Sequence, residues 1–145
     1  MKRIVGIDEV GRGCWAGPLV AAAVVLASPI EGLRDSKKLS KKRREALAAL
    51  IHEQAEAIGI GWVAASEVDE LGLTKAVQLA MLRAIKRIET GYDEVIIDGN
   101  TNFFKNVVGL KTDIVRTIVR ADDTVPAVSA ASIVAKVARD THMTE

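Results

Sequence analysis

The chain has 145 residues, of which 49% are hydrophobic, so it is long enough for one folded domain with a substantial core. Its 20 lysines and arginines nearly cancel its 19 aspartates and glutamates, which excludes a strong overall field that would attract polyanions. The longest apolar run, residues 19–27, is too short to cross a bilayer, and Asp8 and Glu9 interrupt what would be the apolar part of a signal peptide. The one cysteine, Cys14, agrees with a reducing compartment. We therefore expect a single cytoplasmic domain over residues 1–145.

Two apolar strands are predicted near the N-terminus, over residues 2–8 and 19–27, and a glycine-rich loop over residues 11–17 joins them. The second strand is almost continuously apolar, which is typical of a strand that is buried on both faces. We therefore expect an α/β fold in which helices pack on both sides of a sheet.

The first strand ends in two adjacent carboxylates, Asp8 and Glu9, which a regular strand would send to opposite faces. Gly11 and Gly13 permit positive φ and close approach of the backbone, so the chain can bend and present its amides and Arg12 to a ligand. This pattern indicates a metal site beside a phosphate site. The alternative is a polar strand end that is followed by an ordinary turn.

The middle of the chain alternates predicted helices and strands. Ser40 is expected to cap a helix, and residues 59–65 are expected to form a third strand. Ser66 opens a helical turn that Gly72 interrupts, and a longer amphipathic helix then continues until Gly91.

The following strand, over residues 95–97, delivers Asp98 to its C-terminal end, where ligands bind in open α/β sheets. Residues 113–120 predict a weaker strand that leads to Asp122. The last helix is expected to begin at Pro126.

Four carboxylates, Asp8, Glu9, Asp98 and Asp122, fall at or just past the ends of these predicted strands. A close cluster without cations would cost several kcal/mol, because like charges repel strongly in a partly buried site. Oxygen ligands without matching histidine or cysteine favour Mg²⁺ or Mn²⁺ over zinc, and two such ions suit phosphodiester hydrolysis. The alternative for Asp98 and Asp122 is that they cap loops, and Asp123 offers the same chemistry one position later.

A basic segment over residues 35–44 contains six lysines and arginines and one acid. Lys37 and Lys38 are the candidates for contact with phosphate. We interpret residues 41–44 as a solvated charged face, as most charge runs are.

Polar residues recur at helical spacing on the last helix, at Ser129, Ser132, Lys136 and Arg139. Such a stripe could reach a nucleic-acid backbone, and the alternative is an ordinary solvent-exposed face. His52 and His142 have no partner signature, and we expect both on the surface.

Five segments together resemble the ribonuclease HII family, in the family's order and over nearly the whole chain: residues 6–13, 16–23, 35–40, 97–100 and 128–140. The resemblance implies a ribonuclease H-like mixed β-sheet, with three antiparallel N-terminal strands and two parallel strands, flanked by α-helices. It also implies cleavage on the 5′ side of a ribonucleotide, in RNA–DNA hybrids or in duplex DNA, with two Mg²⁺ or Mn²⁺ ions as cofactors.

The resemblance further assigns roles to individual residues. Asp8, Glu9, Asp98 and Asp122 match the family's catalytic metal ligands, and the segment of Gly11, Arg12 and Gly13 matches the one that senses the ribose 2′-hydroxyl. An amide set that bonds this hydroxyl would separate RNA from DNA. We also expect Lys37, Lys38, Ser132 and Lys136 to bind substrate. The protein is expected to be a monomer with a replication or repair partner.

One departure from the family lies at the end of the chain. Family members normally continue past the match to Arg139 and Asp140 into a segment whose tyrosine packs on the sugar, and the one tyrosine here, Tyr92, cannot take that role. We therefore expect a C-terminal truncation relative to the family, with impaired positioning of the substrate.

Two alternatives follow for the function. The chain could be a fragment that binds hybrid duplexes with little or no cleavage. A phosphotransferase with a P-loop is disfavoured, because residues 11–14 lack the Gly-Lys-Ser/Thr that such a loop requires.

Overall fold

The computed structural model describes residues 2–12, 17–33 and 38–144. Its strands are β1 (Ile4–Val10), β2 (Leu19–Leu26), β3 (Ala55–Val63), β4 (Glu94–Asp98) and β5 (Val115–Ile118). Its α-helices are α1 (Lys41–Gln54), α2 (Ala65–Leu71), α3 (Leu73–Ile85), α4 (Ala121–Thr124) and α5 (Pro126–Thr144). A short 3₁₀ turn, Thr112–Ile114, leads into β5.

The strands form one mixed sheet in the order β3-β2-β1-β4-β5. β1 pairs antiparallel with β2, and β2 pairs antiparallel with β3. β4 lies parallel to β1 on one side and parallel to β5 on the other. The expected combination of three antiparallel and two parallel strands is therefore confirmed.

Helices cover both faces of the sheet, as the apolar run of β2 predicts. Its residues alternate: Leu19 and Ala21 belong to the core cluster that contains α3, whereas Val20 and Ala22 belong to the cluster that contains α1 and α5. All four are at most 2% exposed. No helix in the described part of the chain is long and apolar enough to span a membrane.

Several predicted boundaries are wrong by a few residues. β3 begins at Ala55 directly after α1, because its pairing with β2 extends to Leu26. Ser40 caps α1 as predicted and accepts the N–H of Arg43 at 3.2 Å. Ser66 is not a cap, since α2 begins one residue earlier, and its first turn is closed by the Glu67 carboxylate, which accepts the Ala64 N–H at 3.0 Å.

Two further differences concern the helices. α3 ends at Ile85, before Gly91, although Ile88 remains buried against the same core. The short helix α4 has no counterpart in the predicted elements. It fills the space between β5 and α5 and contains Asp122.

Helix α3 packs against β3 at a distance that only glycine allows. A Cβ on Gly59 would overlap the carbonyl oxygen of Ala84, and one on Gly61 would overlap the carbonyl oxygen of Ala80. Backbone atoms cannot yield as a flexible side chain can, so a methyl group at either position forces the helix away from the sheet.

We predict that Gly61→Ala lowers the free energy of unfolding by about 2 kcal/mol or more, the range of overpacked cores. Gly91→Ala is the matched control, because a Cβ there meets no described atom within 4 Å and its φ is not positive. Urea unfolding of the two variants checks this, and equal midpoints for both would contradict the packing explanation.

Candidate active site

Asp8 and Asp98 lie side by side on the two central parallel strands. The register pairs Ile7 of β1 with Ile97 of β4, so the next residue on each strand is one of the two aspartates. Both project to the face covered by α5: Asp8 pairs with Ala22, and Asp98 alternates with Ile96, which packs on Val128. The sheet therefore gathers two carboxylates that lie 90 residues apart in sequence.

Asp122 reaches the same point from α4. Arg120 has a left-handed backbone, with φ 58° and ψ 35°, and turns the chain sharply after β5. The next N–H, of Ala121, donates to Asp98 Oδ1 at 2.7 Å. As a result Asp8, Asp98 and Asp122 each offer a carboxylate oxygen within 4.8 Å of the others, the one such group in the described part of the chain.

The three carboxylates repel one another, and burial of two of them strengthens that repulsion. Asp8 is 8% exposed and Asp122 is 9% exposed. Burial, followed by repulsion from Glu9 and from Asp98, raises the pKa of Asp8 from its ordinary 3.8 to about 8. A divalent cation would remove this repulsion, and an all-oxygen donor set of this kind fits Mg²⁺ or Mn²⁺.

Glu9 lies close to this group but is not part of it. β1 stays regular as far as Val10, so Glu9 projects to the opposite face from Asp8, and its Oε1 accepts from the Arg12 guanidinium at 3.2 Å. Its Oε2 is buried and has no hydrogen-bond partner among the described residues. Burial raises the pKa of Glu9, and the Arg12 charge opposes that rise. An unsatisfied buried carboxylate oxygen is compatible with a cation ligand.

Arg12 is held in place by two contacts. Besides its ion pair with Glu9, its guanidinium carbon lies 5.8 Å from the centre of the Phe103 ring, in the segment that follows Asp98. The side chain is still 49% exposed, so the guanidinium is available to a ligand. Gly11 before it has φ 107°, a conformation that side chains rarely adopt.

Arg139 stabilises the base of the glycine-rich loop, a role that the sequence did not reveal. It is 7% exposed and donates from Nε to the Pro18 carbonyl at 2.8 Å. A Cβ at Gly11 would lie 2.9 Å from its Nε, and one at Gly17 would lie 3.1 Å from its Nη2. Both glycines leave room for this arginine, in addition to having the positive φ values, 107° and 102°, that favour glycine.

The predicted polar stripe on α5 is wrong as a single exposed surface. Ser129 is 3% exposed and its hydroxyl donates to the Asp122 carbonyl, so Ser129 and Arg139 belong to the interior. Ser132 is half-buried and Lys136 remains accessible, with its Nζ 3.5 Å from Asp140. The physical reason is that α5 is covered by the sheet, α4 and the glycine-rich loop on more than one side.

The remaining candidates divide into two groups. Lys38 is exposed beside the start of α1. Gly13, Cys14 and Lys37 lie outside the described residues. His52 and His142 are exposed as expected, and the His142 ring lies 5.2 Å from that of Trp62.

Comparison with known proteins agrees with this geometry. A family model described as ribonuclease HII matches residues 5–145. The ribonuclease HII of Laribacter hongkongensis is 48% identical, over 99% of this chain and 72% of that protein. The ribonuclease HII of Halorhodospira halophila is 47% identical, over 97% of this chain and 70% of that protein.

Solved structures share the fold. The ribonuclease H2 of Pyrococcus horikoshii superposes with a TM-score of 0.85 at 26% identity, over 98% of this chain and 74% of that chain. The RNase HII of Archaeoglobus fulgidus, solved in a complex with PCNA, gives a TM-score of 0.82 at 30% identity, over 97% and 73% of the two chains. The family model matches nearly the whole chain, and the chain has this sheet order and a cluster of acidic side chains that could bind metal. The chain therefore belongs to the ribonuclease HII family and is an RNase H-type nuclease.

Proposed function

We propose that the protein hydrolyses the phosphodiester bond on the 5′ side of a ribonucleotide, in RNA–DNA hybrids or embedded in duplex DNA, and leaves 3′-hydroxyl and 5′-phosphate ends. The observation that carries this proposal is the convergence of Asp8, Asp98 and Asp122 within 4.8 Å. Its relatives of similar sequence are named ribonuclease HII, which supports the same chemistry.

Two divalent cations, Mg²⁺ or Mn²⁺, are the proposed cofactors, with Asp8, Glu9, Asp98 and Asp122 as the catalytic ligands. When bound, such ions activate the attacking water and stabilise the oxygen that leaves the phosphorus. The protein's part is to fix the carboxylates: the Glu9 N–H donates to Asp8 Oδ1 at 2.9 Å, and the Ala121 N–H donates to Asp98 Oδ1. Each of these two donors restrains the rotation of the carboxylate that it bonds.

Recognition of the ribose is proposed for Gly11, Arg12 and Gly13. The 2′-hydroxyl is the group that distinguishes RNA from DNA. A site whose amides and guanidinium are shaped to bond it leaves those donors unpaired when a deoxyribose binds, which disfavours DNA. The contacts of Arg12 with Glu9 and Phe103 support this role, because they hold the guanidinium between the end of β1 and the segment after Asp98.

Four further residues, Lys37, Lys38, Ser132 and Lys136, are the proposed contacts to the nucleic-acid backbone. Lys38 and Lys136 are cationic and accessible, as phosphate contact requires. The complex of the Archaeoglobus relative with PCNA supports the proposal of a replication or repair partner, and we propose that a monomer acts with it in the cytoplasm.

A duplex DNA that carries one ribonucleotide tests the function directly. Incubation with the metal-stripped protein, with and without Mg²⁺ or Mn²⁺, is expected to give a nick 5′ to the ribonucleotide only when metal is present. An all-DNA duplex of the same sequence is the control. Binding without a nick would contradict the enzymatic proposal and favour a fragment that only binds the duplex.

We predict that Asp122→Asn lowers the nicking rate by about 100-fold or more, because it removes a charge from the metal ligand set. Asp123→Asn is the matched control: it makes the same change one position later, on an exposed residue, and is expected to keep the rate within about threefold. Single-turnover nicking by the two variants checks this. Equal losses in both would remove Asp122 from its proposed role.

We also predict a pH dependence of stability in the metal-free protein. Because the pKa of Asp8 is raised from 3.8 to about 8, the folded chain binds this proton more tightly than the unfolded chain. The contribution of this proton to the free energy of unfolding is therefore complete below pH ~4, and it is lost as the pH rises through the pKa of Asp8 in the folded chain. Asp8→Asn is expected to flatten this dependence and to be more stable than the parent at alkaline pH.

Urea unfolding in EDTA across this pH range measures the effect. Adding Mn²⁺ at the alkaline end should raise the stability of the parent and leave Asp8→Asn unchanged. A parent curve that coincides with that of Asp8→Asn would show that Asp8 is not the titrating group.

Arg12→Ala is predicted to lower kcat/KM on the single-ribonucleotide duplex by about 100- to 1,000-fold, the range of one lost transition-state donor. Arg87→Ala, which removes an exposed arginine after α3, is the control. The Mn²⁺-induced rise in melting temperature should persist in both variants. An unchanged kcat/KM for Arg12→Ala would refute the recognition role.

A further inference from the structure

The backbone carbonyl of Asp122 cannot make the hydrogen bond of a continuing α-helix. In a continuing α-helix its partner would be the N–H four residues later, but residue 126 is proline and has none. Val125, with φ −113° and ψ 113°, also ends α4 at this point, and its own N–H donates to Ala121 at 2.7 Å. Because the residue is buried, an unpaired carbonyl here would be costly.

The hydroxyl of Ser129 donates to this carbonyl. Ser129 lies in the first turns of α5, is 3% exposed, and its Oγ donates to the Asp122 carbonyl. Serine within a helix commonly returns its hydroxyl to the carbonyl three or four residues earlier. That carbonyl, of Val125, already accepts the N–H groups of Val128 and Ser129, and the hydroxyl reaches seven residues back instead.

The turn held in this way determines the position of two of the three clustered carboxylates. Asp122 belongs to it, and Asp98 is bonded to it through the Ala121 N–H. At the other end of the turn, the Arg120 carbonyl accepts the Asp123 N–H at 3.0 Å and the Thr124 hydroxyl at 3.4 Å, and both of these bonds lie within the turn itself. A shift of α4 would therefore move the Asp122 carboxylate and release the donor of Asp98 together.

We propose that Ser129 is a positioning residue, which fixes the Asp122 carbonyl and thereby sets the distance of the Asp122 carboxylate from Asp8 and Asp98. This rests on the proposed function, in which those carboxylates bind the metal. Ser129 touches neither substrate nor metal and acts through the backbone of Asp122. Loss of such a supporting contact typically weakens metal affinity by about 10- to 100-fold.

Calorimetric titration of Mn²⁺ into the substrate-free protein tests this without relying on activity. Ser129→Ala is expected to raise the Kd for Mn²⁺ by about tenfold or more and to lower kcat with little change in the KM for the duplex. Ser129→Thr keeps the hydroxyl and is expected to bind Mn²⁺ within about threefold of the parent. A threonine variant that binds Mn²⁺ as weakly as the alanine variant would show that the side-chain volume at position 129, rather than the hydroxyl, determines the Kd, and would overturn the proposal.

Two controls separate positioning from a general loss of stability. Thr124→Ala removes a hydroxyl from the same turn, one that donates to Arg120 rather than to Asp122, and should leave the Kd unchanged. Ile133→Val weakens α5 in the core and should lower the melting temperature without changing the Kd. A Ser129→Ala protein with the parent's Kd would refute the inference alone, whereas a parent that binds no Mn²⁺ would refute the proposed function itself.

Discussion

The mutual repulsion of three carboxylates within 4.8 Å is the constraint on which the rest of this structure depends. Without opposing contacts, the like charges of Asp8, Asp98 and Asp122 would push the three carboxylates apart. The chain opposes this with rigid elements: two of the three stand on the adjacent central strands of the sheet, and the third on a turn that is wedged between β5 and α5. We therefore expect the folded protein to be less stable without metal than with cations bound at this site.

Backbone amides supply the local compensation. The Glu9 and Ala121 N–H groups each donate to one of the clustered carboxylates, and both donors belong to the backbone, so a substitution at residue 9 or 121 other than proline keeps them. A Cβ on Gly6 would overlap the carbonyl of Ala127, so β1 and the start of α5 are in direct backbone contact. The same helix supplies Ser129 to the Asp122 turn and Arg139 to the glycine-rich loop. α5 therefore links the metal-binding half of the site to the half proposed to recognise ribose.

The sequence predicted those features that follow from local patterns. The apolar run of β2 requires helices on both faces, and the two clusters around Val20 and Ala21 confirm it. Asp98 falls at the end of a short buried strand, and Ser40 precedes a helix in the position that a cap requires. These inferences need only the periodicity of one element and the chemistry of its ends.

Features that depend on contacts between distant segments could not be predicted in the same way. Ser129 and Arg139 share helical spacing with Ser132 and Lys136, so all four read as one polar stripe. Ser129 is buried by its contact with Asp122 and Arg139 by its contact with Pro18, and neither contact can be read from the helical spacing. The surroundings of Glu9 could not be predicted either. Its position next to Asp8 in the sequence does not reveal that the Arg12 guanidinium and the Phe103 ring lie on the same face of the sheet as Glu9.

The most direct test of the central claim is anomalous diffraction from crystals of the protein soaked in Mn²⁺. We expect manganese peaks among Asp8, Asp98 and Asp122, with carboxylate oxygens at about 2.0–2.2 Å, the coordination distance of a small hard cation. Ordered density for these three side chains with no manganese between them, or manganese bound only elsewhere, would contradict it.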